Sequence, residues 1–289
     1  MATPRIAMTC PTHAMNEAPT TMTMAPSASH TLSSMLDLLL TRHGLPDAGE
    51  TAWLGSQLDV GLRPEGRQQA EALAGRLRGV RIDRIIASPM LRALETAQII
   101  ATGRPIEVDE RLRERDYGRW EGLTNTEIDA RDPGLLARWD ADPASLPTPG
   151  GETGDEVAAR ARSFLLDLLV AENILPDEGP RPRPRAWAAG GSLAPAPAPD
   201  PAAASATTIG TAGAEDERRV IVVAHGTLNR ILLCVALGVP VRDYRRRFTQ
   251  DRTNLTVLRY EHGDGPDGAQ LILANDVSHL RAPGEAPWV

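Results

Sequence analysis

Three places in the sequence put chemistry-bearing side chains directly after a short apolar run. Residues 36–41 lead into Arg42-His43-Gly44, residues 82–88 end at Ser88-Pro89 with Arg92 just beyond, and residues 219–224 lead into His225-Gly226. In α/β sheets, ligands collect at the carboxyl ends of strands. If the three runs are strands, two arginines and two histidines converge on one crevice. Glycine after each histidine lets the backbone turn sharply and a ligand come close. The N-termini of the helices that follow add amide donors and positive potential. Such a set suits a doubly charged tetrahedral anion, best read as a phosphoryl group. Taken singly, these residues have duller readings: His43 as an ordinary strand-end histidine, Arg92 as a solvated helix residue, His225 as either. Together they favour the site.

The elements that must position them are legible from pattern. Besides the runs 36–41, 82–88 and 219–225, strands are expected at 106–112, 254–260 and 269–275. Residues 64–78 read as a helix, with Pro64 suited to its first turn, an apolar face of Ala70, Leu73, Ala74 and Leu77, and Gly79 suited to the stop. Further helices are expected from Pro89 to about Ala101, in two short pieces within 124–140, over 152–170 and over 227–237. Thr153 and Glu156 have capping-box spacing. Strands alternating with helices predict an α/β fold, a three-layer α/β/α sandwich around a mostly parallel sheet.

Two segments stand apart. Residues 1–34 are rich in Met, Thr, Ala, Pro and Ser without periodicity and read as a disordered leader, with Met35 as an alternative start that an intact mass of the native protein would check. Residues 176–217, containing PRPRPR and APAPAPDP, read as a disordered insert that interrupts the domain spanning 35–289. The net charge of −7 argues against nucleic acid as the main partner. All 31 basic side chains are arginines, so a local cationic pocket remains open. No apolar run approaches the roughly 18 residues that span a membrane. Cys10 and Cys234 suggest neither a disulfide framework nor a zinc site, so a cytoplasmic location is the expectation, with no metal and no cofactor.

TRHG at 41–44, SPMLRALETA at 88–97, RLRERDYGRWEG at 111–122, GGET at 150–153, VVAHG at 222–226 and NDVSHL at 275–280 occur in the order found in the histidine phosphatase superfamily. The chain resembles that family over about residues 36–280, the insert aside. The resemblance implies a phosphoglycerate mutase-like fold. It implies that His43 is the nucleophile and forms a phosphohistidine, and that Arg42, Arg92 and His225 bind the phosphoryl oxygens, with Gly44 and Gly226 beside them. It implies that Glu114 protonates the leaving oxygen and then activates water. One departure stands out: many members carry an Asn a few residues after RHG, and this chain has none there. Ser56 and Gln57 are the weak candidates to replace it.

Only residues 123–149 separate the WEG and GGET segments, where mutases usually carry a longer, proline-rich stretch. This favours a phosphatase acting on a small phosphorylated metabolite, such as a sugar phosphate, a phosphoglycerate derivative or α-ribazole phosphate. A mutase-type phosphotransferase and a catalytically weak phospholigand-binding relative are the alternatives, and a homodimer is compatible with either. Trp120 and Trp139 are expected to pack, Glu152 and Arg160 to support the fold, and His279 to help dock the C-terminal segment. Arg245-Arg246-Arg247 reads as a solvated helix face.

Overall fold

The apolar runs pair into one six-stranded mixed sheet in a computed structural model that describes residues 34–48, 52–177 and 217–281. The strands are β1 (Met35–Arg42), β2 (Arg84–Ala87), β3 (Glu107–Val108), β4 (Glu217–Ala224), β5 (Leu255–Glu261) and β6 (Gln270–Asp276). Their spatial order is β3-β2-β4-β1-β5-β6. β1, β2, β3 and β4 pair in parallel, while β5 and β6 add an antiparallel edge. The fold is thus the expected α/β sandwich. The proposed leader and the body of the proposed insert lie outside the described residues.

The central strands are apolar throughout because both faces are covered. The two-residue period of a strand then deals alternate side chains to opposite layers. Leu36, Leu38 and Leu40 of β1, with Val220, Val222 and Ala224 of β4, pack against α5 (Gly154–Ala171) and α6 (Gly226–Ala236). Leu39, Ile221 and Val223 face the other way, onto α1 (Pro64–Arg76) and α2 (Leu91–Ala101). Pro64 opens α1, and Thr153 and Glu156 close the expected capping box at the start of α5.

One strand is shorter than its sequence suggests. Within 106–112 only Glu107–Val108 is extended. Asp109 then accepts a hydrogen bond from the Arg111 amide and turns the chain into a 3₁₀ helix, Glu110–Leu112. Beyond it, α3 (Asn125–Arg131) and α4 (Leu135–Ala141) frame a small aromatic cluster of Tyr117, Trp120 and Trp139, with Trp53 packed against them. Trp120 and Trp139 are fully buried packing residues, as expected. The Arg245–247 run is exposed on a helix, as expected. It forms α7 (Tyr244–Arg247), where Arg245 pairs with Asp140 and its guanidinium lies 5.3 Å from the Trp139 ring centre.

Candidate active site

Register brings the histidines together. In the parallel β1–β4 pair Arg42 is opposite Ala224, and the His43 amide continues the ladder by donating to the Ala224 carbonyl at 3.0 Å. The next residue on each strand is a histidine, and the two rings stand edge to face with centres 5.2 Å apart. On the other side of β4, the Ser88 amide extends β2 by donating to the Val223 carbonyl at 3.0 Å. Its hydroxyl sits 2.8 Å from His225 Nε2.

The His43 ring is neutral with its proton on Nδ1. Its Nδ1 lies 2.7 Å from the Gly44 carbonyl, which can only accept, so Nδ1 carries the proton and Nε2 the lone pair. The ring is buried, and burial together with Arg252, His225, Arg92 and Arg42 pushes its pKa well below the usual value, keeping it neutral. His225 is depressed in the same way, first by burial and then by Arg92, Arg160, Arg42 and Arg252.

The arginines are fixed by carbonyls rather than by acids. Arg92 donates to the carbonyls of Gly55 and Leu58, both at 2.9 Å, and Arg42 donates to that of Gln250 at 2.9 Å. Burial pushes Arg42 down to about 10 and lowers Arg92 as well. Three buried nitrogens of this cluster have no protein partner: Arg42 Nε, Arg92 Nε and His225 Nδ1. Buried polar atoms are normally satisfied, so a cluster of orphans among cations points to an anionic ligand.

Glu114 closes the site from the segment after β3. One carboxylate oxygen accepts from the amides of Arg115 and Leu228 (2.8 and 3.0 Å), the other from the amide of Thr227 at 3.0 Å. It therefore caps α6, whose first turn follows His225. Arg160 holds the backbone carbonyls of Arg111, Arg113 and Glu114 and binds the Glu152 carboxylate. Glu152 and Arg160 thus support the segment that carries Glu114. Beyond Glu114 opens a polar pocket of about 280 Å³, lined by Ser56, Glu110, Arg113, Glu114, Asp116, Glu152 and Arg160.

Each of the two glycines is closely approached by the protein itself. The Gly44 amide already donates to Thr96 Oγ1 at 3.0 Å, and a Cβ on Gly44 would lie 2.3 Å from the Gly66 carbonyl oxygen. Gly44 serves the close packing of α1 and is not free to bind phosphate. A Cβ on Gly226 would meet the Arg42 guanidinium at 3.1 Å, so Gly226 makes room for Arg42. Of the two candidates for the missing Asn, Gln57 donates its amide to Asp116, and Ser56 lines the neighbouring pocket.

Sequence reasoning missed Arg252. One of its terminal nitrogens lies 3.3 Å from His43 Nδ1 and 3.2 Å from His43 Nε2. It also missed Ser88 as the partner of His225. Among the described residues, His, Cys, Asp and Glu form no group of three able to hold a metal ion, and no helix is long and apolar enough to cross a membrane.

The chain is similar to known proteins over most of its length. The family model described as the histidine phosphatase superfamily (branch 1) matches residues 38–174 and 204–268. A glucosyl-3-phosphoglycerate phosphatase of Mycobacterium tuberculosis is 32% identical over 247 residues, 85% of this chain and 95% of that protein. Its counterpart in Mycolicibacterium vanbaalenii is 31% identical over 72% of this chain and 76% of its own length. The solved native structure of a mycobacterial glucosyl-3-phosphoglycerate phosphatase is similar at a TM-score of 0.63 and 30% identity, over 84% of this chain and 99% of that one. A putative α-ribazole-5'-phosphate phosphatase from Escherichia coli, 19% identical over 84% of this chain and 97% of its own, shares the fold at a TM-score of 0.61.

Proposed function

The chain belongs to the histidine phosphatase superfamily and is a phosphatase of that type, and from that premise we propose that it hydrolyses its phosphomonoester through a phosphohistidine on His43. The carrying observation is the hydrogen bond from His43 Nδ1 to the Gly44 carbonyl, which leaves a neutral Nε2 lone pair beside three cations. Nε2 attacks phosphorus as the bond to the leaving oxygen breaks, and Glu114 supplies that oxygen with a proton. Glu114 then takes a proton from water as water attacks the phosphohistidine. Phosphate leaves, and Nε2 regains its lone pair. Arg42, Arg92 and His225 hold the equatorial oxygens through the donors that no protein atom satisfies.

The leaving group occupies the pocket beyond Glu114. Its carboxylates can accept from hydroxyl groups, and Arg113 can meet a carboxylate. This suits a phosphorylated sugar or glycerate derivative, the class to which glucosyl-3-phosphoglycerate belongs. The reaction as drawn uses no metal. We also place it in the cytoplasm, on the cysteine usage of the sequence. Recovery of the native protein in an extracellular fraction would refute that placement.

The test is phosphate release by the purified protein from a panel of glucosyl-3-phosphoglycerate, 3-phosphoglycerate, α-ribazole phosphate and p-nitrophenyl phosphate, with chelator present. His43→Ala is expected to reduce turnover about 10⁴-fold or more, as removal of a nucleophile does. Acid-labile label from a ³²P-monoester should appear on the wild type and be absent from the variant. A variant that retains turnover, or turnover lost to the chelator, overturns the mechanism.

A further inference from the structure

Arg252 arrives at the site from the loop between α7 and β5, and that loop is tied down on every side. The Arg42 amide donates to Asn254 Oδ1, and the Thr253 amide donates to the Arg42 carbonyl. Gln250 is buried; its side chain bonds to Asn229 and Thr256 while its carbonyl holds Arg42. Thr253 stands at φ 50°, a left-handed conformation that a β-branched residue adopts only where its surroundings force it. The loop is therefore built to hold position 252 beside the end of β1.

The side chain has no such restraint. Among the described residues its only hydrogen-bond contacts are with His43, and it makes no ion pair. Arg42 and Arg92, by contrast, are pinned by main-chain carbonyls. The nearly equal distances of one terminal nitrogen from the two His43 nitrogens place it over the ring face, not in line with either lone pair. Of the charges acting on Arg252, Arg42 and Arg92 oppose it and only Glu114 favours it. Burial first, and then Arg42 and Arg92, push it down to about 9 against the pull of Glu114. Such a guanidinium gains much from a dianion, which it can grip at two points.

We infer that Arg252 is a further phosphoryl-binding residue that also guards the nucleophile: in the free protein it covers the His43 ring, and a dianionic phosphoryl group draws it off the ring onto the phosphoryl oxygens. The inference rests on His43 being the phosphoryl acceptor. It assigns to Arg252 the contact left open by the missing Asn, and it makes the site selective for dianionic monoesters over singly charged esters.

The full-length protein tests it with Arg252→Gln and Arg252→Lys. The first readout is inhibition by inorganic phosphate during hydrolysis of p-nitrophenyl phosphate. The inhibition constant should rise about tenfold or more in Arg252→Gln, the scale of a lost charge-assisted hydrogen bond, and recover in part in Arg252→Lys. The second readout is the rate of His43 carbethoxylation by diethyl pyrocarbonate, mapped by peptide mass. It should be severalfold faster in Arg252→Gln, while exposed His262 reacts at the wild-type rate as internal reference. Failure of either readout overturns the inference. If both fail while His43→Ala is still inactive, the phosphohistidine reading stands without Arg252. Loss of the His43→Ala effect itself removes that reading instead.

Discussion

On one side of Glu114 stand two arginines and a histidine, each with a buried nitrogen that finds no protein partner; on the other lies a pocket whose charged groups satisfy one another. In the phosphoryl pocket Arg42 Nε, Arg92 Nε and His225 Nδ1 are buried and unpaired. In the neighbouring pocket Arg113 meets Glu110 and the Ser56 carbonyl, and Glu152 meets Arg160 and the Asp116 amide. Asp116 accepts from Gln57 and from the Gly118 amide. The first region is incomplete without a ligand. The second is complete alone and can exchange its hydrogen bonds for those of a substrate.

The difference follows from what each region recognises. A transferring phosphoryl group presents the same oxygens whatever it is attached to, so fixed and unsatisfied donors can await it, at a cost in stability that the fold absorbs. Leaving groups vary, and a pocket of paired, half-exposed charges can be retuned without endangering the fold. Glu114 belongs to both. Its carboxylate lies close enough to influence Arg42, Arg92 and Arg252, and it also forms a wall of the neighbouring pocket.

Glu114→Gln gives the larger break in that comparison. On its proposed role as proton donor, its replacement is expected to lower turnover of an alkyl phosphate about 10²- to 10⁴-fold. The loss should be clearly smaller with p-nitrophenyl phosphate, whose leaving oxygen needs little help. Gln still offers an oxygen to the α6 amides, so the inhibition constant for phosphate serves to show that the cationic pocket is intact. Equal losses on both esters would mean that Glu114 acts only as the cap of α6.

Arg113→Ala should act on the second region alone. The Arg113 side chain is 39% exposed, and its two contacts are long, at 3.3 Å. A substrate carboxylate meeting it is therefore worth about tenfold in kcat/KM rather than a thousandfold. The loss should appear with glucosyl-3-phosphoglycerate and vanish with p-nitrophenyl phosphate. A matching loss on both would move Arg113 into the phosphoryl pocket and erase the boundary between the two regions.

The two regions are also unequally legible in the sequence. His43, Arg92 and His225 stand directly after apolar runs or in the first turn of a helix, where strand-end geometry by itself points to a crevice. Glu114 sits in an arginine-rich run whose natural reading is a surface salt bridge, and only the resemblance gives it chemistry. Arg252 carries no signal. It lies between Asp251 and Thr253, in a loop whose path depends on tertiary bonds to β1 and α6, while the conspicuous arginines at 245–247 are exposed. Gly44 and Gly226 are sites of close approach, as their places after the histidines suggest. The sequence does not say what approaches, and in each case it is the protein itself.

The smallest effect expected concerns protons. His43 and His225 are both held neutral, by burial first and then by the surrounding arginines. In the unfolded chain both would titrate near 6.5. Above that pH neither state binds these protons, and the histidines take nothing from stability. As pH falls below it, the unfolded chain gains protons that the folded site refuses. Stability then declines by at most about 1.4 kcal/mol per pH unit for each histidine, until the folded values are reached. Thermal unfolding at pH 7.5 and pH 5.5 should show this decline, and His43→Ala should lessen it because one of the two groups is gone. In the folded protein, ¹⁵N signals of His43 should keep the neutral, Nδ1-protonated pattern through pH 6. An inflection near 6.5 would mean that the cationic pocket does not control its nucleophile, and the contrast between the two regions would lose its electrostatic basis.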